Sequence, residues 1–438
     1  MKRYAMHELE RWQNDPRRKP LIIRGARQVG KTWLMKEFGK LAFKNTAYIN
    51  FDNNERMRLL FEGDFDIPRL IAALQIECGC HIEQGNTLIL FDEVQEVPRA
   101  LTSLKYFYEN APEYAIVAAG SLLGVAMHHG SSFPVGKVAF LDLYPMSFTE
   151  FLDATGNKSL SELLKKQDWS LIAPFKSKYI ELLRNYYFIG GMPEAVQSFI
   201  EEHDYSKVRE IQNRLLEAYE QDFSKHAPPE TVPRIRMLWN SIPAQLAKEN
   251  RKFIYGMIRE GSRARDFELA LQWLIDCGLV YQVNRLAKPA MPLNAYRDNA
   301  FKLFMLDVGL LAAKSGLDIR SLLEGNRIFT EFKGSLTEQY VQQQLRAESG
   351  IHPFYWSAEL GSAEIDFVFQ NGMNVIPVEV KAEENLQAKS LKAYCARFSP
   401  KVAIRVSMSD YRKESWLTNL PLYAISQITK ECVYTLHG

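Results

Sequence analysis

A stretch near the start of the chain carries residues suited to binding phosphate. Residues 25–32 read Gly-Ala-Arg-Gln-Val-Gly-Lys-Thr, after an apolar run at 21–23 and before a helical pattern. Glycines let the backbone approach an anion closely and point successive N–H groups at it. Lys31 can reach the β- and γ-phosphates of a nucleotide, and the Thr32 hydroxyl can bind Mg²⁺. The spacing predicts a nucleotide site formed by Gly25, Ala26, Arg27, Gln28, Val29, Gly30, Lys31 and Thr32.

A second apolar run ends in two acids. Residues 87–91 read Thr-Leu-Ile-Leu-Phe, and Asp92 and Glu93 follow directly. An unbroken apolar run fits a strand covered on both faces of a parallel sheet, and ligands bind at the carboxyl ends of such strands. We expect Asp92 to hold Mg²⁺ through water and Glu93 to act as the general base on the attacking water. ATP and Mg²⁺ are the predicted cofactors, and ATP hydrolysis is the predicted reaction.

A third apolar run, residues 114–120, ends at Ser121. This hydroxyl could sense the γ-phosphate or the attacking water and so take part in catalysis, or it could cap the following helix, and residue type favours neither role. Strand patterns alternate with helical patterns over residues 18–155. That alternation predicts an α/β core with a parallel sheet.

Another group of chemically capable residues lies near the carboxyl end of the chain. Residues 363–369 read as a strand with Ile365, Phe367 and Phe369 on one face and Glu364, Asp366 and Val368 on the other. A Gly372 turn leads into a second strand pattern. A hairpin of these strands would present Asp366, Glu379 and Lys381 on one surface. Carboxylates so placed can bind Mg²⁺, and a lysine can stabilise charge at a phosphodiester. A solvated strand face with a cross-strand ion pair is the alternative.

Several motifs carry a family resemblance in combination. They are GARQVGKT at 25–32, LILFDEVQEVP at 88–98, AAGS at 118–121 and LDLYPMSFTEF at 141–151, with later stretches at 186–196 and 301–311. Together they resemble a prokaryotic family of AAA-like P-loop ATPases that carries a C-terminal domain of unknown function. Gly136-Lys137 stands where that family usually has Gly-Arg. Because lysine cannot make the planar bidentate contact of arginine, we expect hydrolysis that is slow or that uses another arginine.

The spacing Asp-x₁₂-Glu-x-Lys resembles the core of the restriction-endonuclease-like nuclease fold. Residues 334–338 are expected to open a helix, and Glu338 resembles that fold's additional acidic residue. The resemblance implies Mg²⁺ at Asp366, Glu379 and Glu338, with Asp366, Glu379 and Lys381 acting in catalysis. Ser335-x-x-Glu338 is also a capping box. Cleavage of nucleic acid and binding without cleavage both stay open, since a fold does not settle function.

The coarse patterns predict a multidomain α/β protein. Its predicted parts are an AAA-like P-loop ATPase core at 1–155, a helical lid or spacer at 156–228, a winged helix at 229–315 and a restriction-endonuclease-like α/β domain at 316–438. The winged-helix region holds thirteen Lys and Arg against eight Asp and Glu. Arg259, Arg263 and Arg265 could meet DNA phosphates around a recognition helix, or the region could only pack between domains.

Composition limits the remaining possibilities. The chain has 438 residues and a net charge of +2, which is no global nucleic-acid signature. Its five scattered cysteines suit a reducing compartment. No apolar stretch is long enough for a membrane span, so we expect a cytoplasmic protein without a membrane partner. The leading prediction is an ATPase coupled to a DNA-binding, nuclease-like region, and the chain could form a homo-oligomer. The alternative is a nucleotide-controlled switch that grips DNA or protein without cutting.

Overall fold

Residues 1–121, 123–126, 133–248, 252–323, 330–359, 363–384 and 388–432 are described by a computed structural model of the chain. They form two units. The first comprises Met1–Tyr144 with Asp276–Leu279, and the second comprises Pro145–Ile275 with Val280–Gly438.

The first unit is built on a parallel sheet. Its described helices are α1 (Ala5–Asn14), α2 (Lys31–Ala42), α3 (Glu55–Glu62), α4 (Ile67–Cys78), α5 (Pro98–Asn110) and α6 (Leu123–Ala126). Its strands are β1 (Leu21–Arg24), β2 (Asn45–Asn50), β3 (Thr87–Asp92), β4 (Ala115–Ala119) and β5 (Ala139–Asp142). All neighbours in the order β2-β3-β4-β1-β5 pair in parallel. Every residue of β3 and β4 is buried, as their unbroken apolar runs predict. The predicted α/β core with a parallel sheet is confirmed.

Aromatic packing anchors one part of this core. Phe51, Phe61 and Phe91 contact one another with ring centroids 5.2 to 5.9 Å apart. Tilted and edge-on arrangements at these separations are the favoured ones for aromatic pairs. Phe91 immediately precedes Asp92, so this packing fixes the carboxyl end of β3 where the acids stand.

The second unit begins with helices and ends with a mixed sheet. Its described helices are α7 (Phe148–Ala154), α8 (Lys158–Lys166), α9 (Trp169–Ile172), α10 (Lys176–Ile189), α11 (Pro193–Glu202), α12 (Tyr205–His226), α13 (Val232–Leu246), α14 (Ala264–Asp276, its last residue grouped with the first unit), α15 (Val308–Lys314), α16 (Ile319–Leu323), α17 (Thr330–Ala347), α18 (Lys389–Phe398) and α19 (Ile428–Glu431). Its strands are β6 (Val280–Leu286), β7 (Arg297–Met305), β8 (Phe354–Ser357), β9 (Glu364–Asn371), β10 (Asn374–Val380), β11 (Ile404–Ser407), β12 (Arg412–Lys413) and β13 (Thr418–Pro421). The segment predicted to be a helical lid or spacer is helical.

The strands of the second unit share one sheet, in the order β12-β13-β11-β10-β9-β8-β6-β7. β8, β9 and β10 pair in antiparallel fashion, while β11 pairs in parallel with β10 after the α18 crossover. The hairpin expected as a wing is present as β6 and β7, but β6 also pairs with β8. The predicted boundary at residue 315 therefore falls within the span of a single sheet. The domain limits themselves stay predictions.

The predicted start of the helix around Glu338 is wrong. α17 already begins at Thr330, so Ser335 and Glu338 lie inside it. The Ser335 hydroxyl donates to the carbonyl of Leu246 at 2.7 Å and does not cap the helix. An interior serine commonly bonds to backbone carbonyl groups in this way.

Buried glutamines on α17 hold neighbouring backbones. Gln339 both accepts from the Met305 N–H at 2.9 Å and donates to the Met305 carbonyl at 2.6 Å. Gln343 accepts from the Val308 N–H at 2.9 Å, and Gln344 accepts from the Phe148 N–H at 2.8 Å. Since buried backbone groups need partners, these side chains position α17 against the start of α7 and the end of β7.

Candidate active site

The loop between β1 and α2 has the backbone shape that its glycines allow. Gly25 and Gly30 have φ of +149° and +95°, and Gln28 between them has φ of +67°. A Cβ atom at Gly25 would lie 2.2 Å from the Leu143 carbonyl oxygen, so only glycine fits there. The loop leads directly into the N-terminus of α2, where backbone N–H groups and the helix dipole favour an anion. The predicted phosphate-binding stretch therefore lies between a strand and a helix, as expected.

Lys31 is buried at this loop. Its ammonium group donates to the carbonyl oxygens of Gly25 at 2.9 Å and Ala26 at 2.8 Å. Burial lowers the pKa of Lys31 to about 8, although the nearby Glu93 and Asp92 carboxylates partly oppose that shift. The ammonium group is thus already held beside the loop that would surround a phosphate.

The Thr32 hydroxyl and Asp92 come together. Thr32 Oγ1 donates to Asp92 Oδ2 at 2.8 Å, and the Tyr48 hydroxyl donates to the same oxygen at 2.8 Å. Hydroxyl and carboxylate oxygens suit Mg²⁺, so these two residues fit the predicted metal role. Sequence reasoning missed Tyr48. Its position two residues before the end of β2, the strand next to β3, was the only available signal.

Glu93 follows Asp92 in a left-handed conformation, with φ of +50°. Its Oε2 accepts from Gln95 Nε2 at 2.7 Å and from the Ser121 hydroxyl at 3.2 Å. Strained non-glycine backbone of this kind clusters at functional sites. Two roles were open for Ser121, one in catalysis and one as a helix cap. In the structure its hydroxyl contacts Glu93, the predicted base. β4 lies between β1 and β3, which brings Ser121 to the same sheet edge as the loop and the acids.

Gln95 is a further residue that sequence reasoning missed. Gly120 provides its space, because a Cβ atom at Gly120 would lie 2.1 Å from Gln95 Oε1. That oxygen is buried and has no hydrogen-bond partner among the described residues. A buried polar atom without a partner is unfavourable, and a water molecule beside Glu93 would satisfy it.

Arg3 contacts the phosphate-binding loop although it lies outside the 25–32 motif. Its guanidinium group donates to the carbonyl oxygens of Val29 at 2.9 Å and Tyr144 at 2.7 Å. Arg3 is buried even though it lies just ahead of α1. A planar fork of donors suits two carbonyl groups at once. Nothing in the local sequence pattern signals this contact, because its partners are 26 and 141 residues away.

Lys137, which stands where the resembling family has arginine, forms an ion pair. Its ammonium group lies 2.9 Å from Glu109 Oε1 and 5.8 Å from the centre of the Tyr108 ring. The Glu109 hydrogen bond raises the pKa of Lys137. In this structure Lys137 is therefore engaged with α5.

The C-terminal candidates lie on β9, β10 and the residue after it. The Asp366 carboxylate accepts from the Val380 N–H at 2.7 Å, and burial raises the pKa of Asp366 well above its usual value. Glu379 is buried, and its Oε1 lies 3.1 Å from the Lys381 ammonium group. The predicted antiparallel pairing of the two strands is present, with Phe367 opposite Val378.

Glu338 contacts a lysine that sequence reasoning did not single out. The ammonium group of Lys302 on β7 lies 3.3 Å from Glu338 Oε2 and 2.5 Å from Glu364 Oε1. Lys302 is fully buried. Within the described ranges no group of three or more His, Cys, Asp and Glu residues could hold a metal ion. The structure thus does not bring Asp366, Glu379 and Glu338 together as a three-carboxylate metal centre.

No helix in the described part of the chain is both long and apolar enough to cross a membrane.

A glycine-rich loop between β1 and α2, with acids at the end of a neighbouring parallel strand, defines a P-loop ATPase domain. Residues 17–152 match the protein-family model described as AAA domain. Residues 180–321 and 333–425 match two models described as domains of unknown function, DUF8612 and DUF4143. No curated protein matches the chain.

Several solved structures are distantly similar. A Walker-type ATPase of Pyrococcus abyssi has 14% identity and a TM-score of 0.45, covering 71% of this chain and 94% of its own. The Aeropyrum pernix ORC1 protein in complex with DNA has 12% identity and a TM-score of 0.28, covering 72% and 93%. Cdc6p from Pyrobaculum aerophilum has 12% identity and a TM-score of 0.26, covering 74% and 96%. Likenesses this distant assign neither a substrate nor a partner to the chain.

Proposed function

We propose that the first unit binds ATP with Mg²⁺ and hydrolyses it. The observation that carries this proposal is the direct hydrogen bond from the Thr32 hydroxyl to Asp92, with Glu93 held beside them by Ser121 and Gln95. A phosphate loop alone would support binding. A loop joined to a positioned pair of acids also supports attack by water.

Each residue has a distinct role in this proposal. Backbone N–H groups of residues 25–32 hold the phosphates, and Lys31 turns from the loop carbonyls to the β- and γ-phosphates. Thr32 and Asp92 would hold Mg²⁺, which would supply neutralisation of phosphate charge. Glu93 takes a proton from the attacking water, and Ser121 orients the Glu93 carboxylate.

Two substitutions test the proposal at different steps. Lys31→Ala should abolish ATP binding, measured by titration calorimetry. Glu93→Gln should keep binding and lower kcat by about 10²–10⁴, which is the usual contribution of general acid–base catalysis. Glu96→Gln is the matched control, since this neighbouring acid is exposed and should leave turnover unchanged. Undiminished turnover by Glu93→Gln would refute the assigned base.

We further propose that the second unit contacts DNA under the control of the ATPase. Support comes from the succession α17-β8-β9-β10-α18-β11, whose connectivity is that expected for a restriction-endonuclease-like region. Arg259, Arg263 and Arg265 are exposed before and at the start of α14, where phosphate contacts are possible. Cleavage would assign catalytic roles to Asp366, Glu379 and Lys381. The alternative is a nucleotide-controlled switch that binds without cutting, which the contact of Lys302 with Glu338 favours.

A plasmid assay separates these two possibilities. Wild-type protein and Lys381→Ala are incubated with supercoiled plasmid and Mg²⁺ or Mn²⁺, with gel-shift binding measured in parallel. Nicking that Lys381→Ala removes would support a nuclease. Binding without nicking by either protein would support the switch, and an absence of binding with and without ATP would contradict a DNA partner.

A further inference from the structure

Lys302 occupies an unusual place for a lysine. It lies on β7 with no exposed surface, and its ammonium group contacts Glu338 of α17 and Glu364 of β9 at 3.3 and 2.5 Å. The same group lies 5.0 Å from the centre of the Tyr355 ring. A buried charge is very costly unless it is paired, and here two carboxylates and an aromatic face surround it.

This ammonium group contacts Glu338, one of the acids that the resemblance assigns to Mg²⁺. The restriction-endonuclease-like resemblance implies that Glu338 on α17 and Asp366 on β9 are metal ligands. Glu338 contacts both Lys302 and Asp366, and Asp366 also accepts from the backbone N–H of Val380. Mg²⁺ needs about six oxygen ligands and repels a cation at contact distance, so the ion and this ammonium group exclude each other.

The remaining acid of the predicted set, Glu379, is buried. Its Oε1 pairs with Lys381 at 3.1 Å and its Oε2 has no hydrogen-bond partner among the described residues, so the group that excludes a metal ion from this cluster is the Lys302 ammonium. The residues present therefore do not fit the metal that the resemblance implies. Lys302 comes from β7, a strand of the hairpin that joins this sheet at β8, and so from outside the succession that resembles a nuclease.

We infer that the Lys302 ammonium group stands in for a divalent cation between Glu338 and Glu364 beside Asp366, so that the cluster holds no metal in the native protein and the second unit does not cleave phosphodiester bonds. The inference rests on the proposed nuclease-like connectivity and is independent of ATP hydrolysis. It leaves the second unit a binding role.

Mn²⁺ titration of the full-length protein tests the inference. All proteins carry Thr32→Ala and are free of nucleotide, which weakens metal binding at the phosphate loop. Free Mn²⁺ is followed by electron paramagnetic resonance. The parent protein, which carries only Thr32→Ala, should show no Mn²⁺ binding that depends on Asp366. Lys302→Met in this background should gain about one equivalent of bound Mn²⁺. Adding Asp366→Asn to Lys302→Met should remove that gain, and Lys314→Met, which removes a largely buried lysine paired with Glu220, is the matched control without a gain.

Two outcomes would overturn the inference. One is Mn²⁺ bound by the parent and lost in Asp366→Asn, a substitution that keeps the shape of the side chain. The other is a folded Lys302→Met protein, judged by circular dichroism, that gains no Mn²⁺. If Lys302→Met does not fold, the comparison of the parent with Asp366→Asn decides alone. Because no nucleotide is present, failure here is distinguishable from failure of the proposed ATPase.

Discussion

Glu93 and Lys31 show how single side chains are prepared in the first unit. Two donors, Gln95 and Ser121, bind the same oxygen of Glu93 and so fix the orientation of its carboxylate. Lys31 is buried and donates to two backbone carbonyl groups. Each arrangement leads to a measurable expectation.

Gln95→Leu should lower kcat about tenfold, equivalent to about 1.4 kcal/mol of transition-state stabilisation, with little change in the KM for ATP. The reason is that Gln95 donates to Glu93 and is not part of the phosphate loop. Steady-state ATPase kinetics measure both constants. Gln84→Leu, at an exposed glutamine, is the control. A rise in KM with unchanged kcat would mean that Gln95 acts in nucleotide binding instead.

ATP affinity should weaken as the pH rises through about 8. The Lys31 side chain attracts phosphate strongly only when its amine is protonated, and burial lowers the pKa of Lys31 to about 8. The fraction of charged Lys31 then falls about tenfold between pH 7 and pH 9, and affinity falls with it.

The same depressed pKa acts on stability with the opposite sign: above pH 8 the unfolded chain holds the extra proton, so this group favours folding more as pH rises.

Calorimetric titration at several pH values measures the effect. Lys31→Arg is the matched control, because arginine stays charged throughout this range. Lys31→Arg should bind ATP more weakly, and its ATP affinity should show no step near pH 8. An equal step in both proteins would assign the titration to another group.

At the scale of elements, Asp307 joins two stretches that resemble family signatures. It follows β7 and accepts from the N–H groups of Gly191 at 2.7 Å and Leu310 at 3.0 Å, and from Gln343 at 3.0 Å. A Cβ atom at Gly190 would lie 2.1 Å from Asp307, so the glycine pair before α11 is required by packing. One carboxylate thus fixes the α10–α11 turn, the start of α15 and α17.

Asp307→Ala should destabilise the second unit by about 3 kcal/mol, because three buried donors lose their acceptor. Urea unfolding followed by circular dichroism gives the midpoint. Asp318→Ala, at an exposed aspartate paired with Arg320, should leave that midpoint nearly unchanged. Equal effects of the two substitutions would mean that Asp307 does not tie these elements together.

Across the complete chain, positive and negative charges nearly cancel. A net charge of +2 provides little general attraction to nucleic acid. Any DNA contact must therefore come from local groups such as the exposed arginines before and at the start of α14. Their contribution can be read from the dependence of affinity on salt.

Arg263→Gln combined with Arg265→Gln should reduce the slope of log affinity against log salt by about 2, since each lost phosphate contact removes about 0.9. Fluorescence anisotropy with a labelled duplex at several salt concentrations measures the slope. Arg412→Gln, at an exposed arginine on β12, is the control. A slope that is the same in all three proteins would exclude this surface as the contact.

Features that depend on neighbouring residues in the chain could be predicted from the amino-acid sequence. The phosphate loop, the acids at the carboxyl end of β3 and the parallel core could be predicted, because glycine positions and unbroken apolar runs have local causes. The hairpin of β9 and β10 could also be predicted from its alternation and turn. The role of Ser121 and the start of α17 could not, since both depend on partners elsewhere in the chain.

Contacts between residues that are far apart in the chain depend on the fold. Arg3 reaches the phosphate loop, Tyr48 reaches Asp92 and Gln95 reaches Glu93 through the packing of strands and loops. The same holds for Lys302, an ordinary strand residue in sequence that becomes a buried cation between two acids. Hydrogen bonds and ion pairs act at about 3 Å whatever the separation along the chain, so residue type indicates chemistry while the fold decides whether it is assembled.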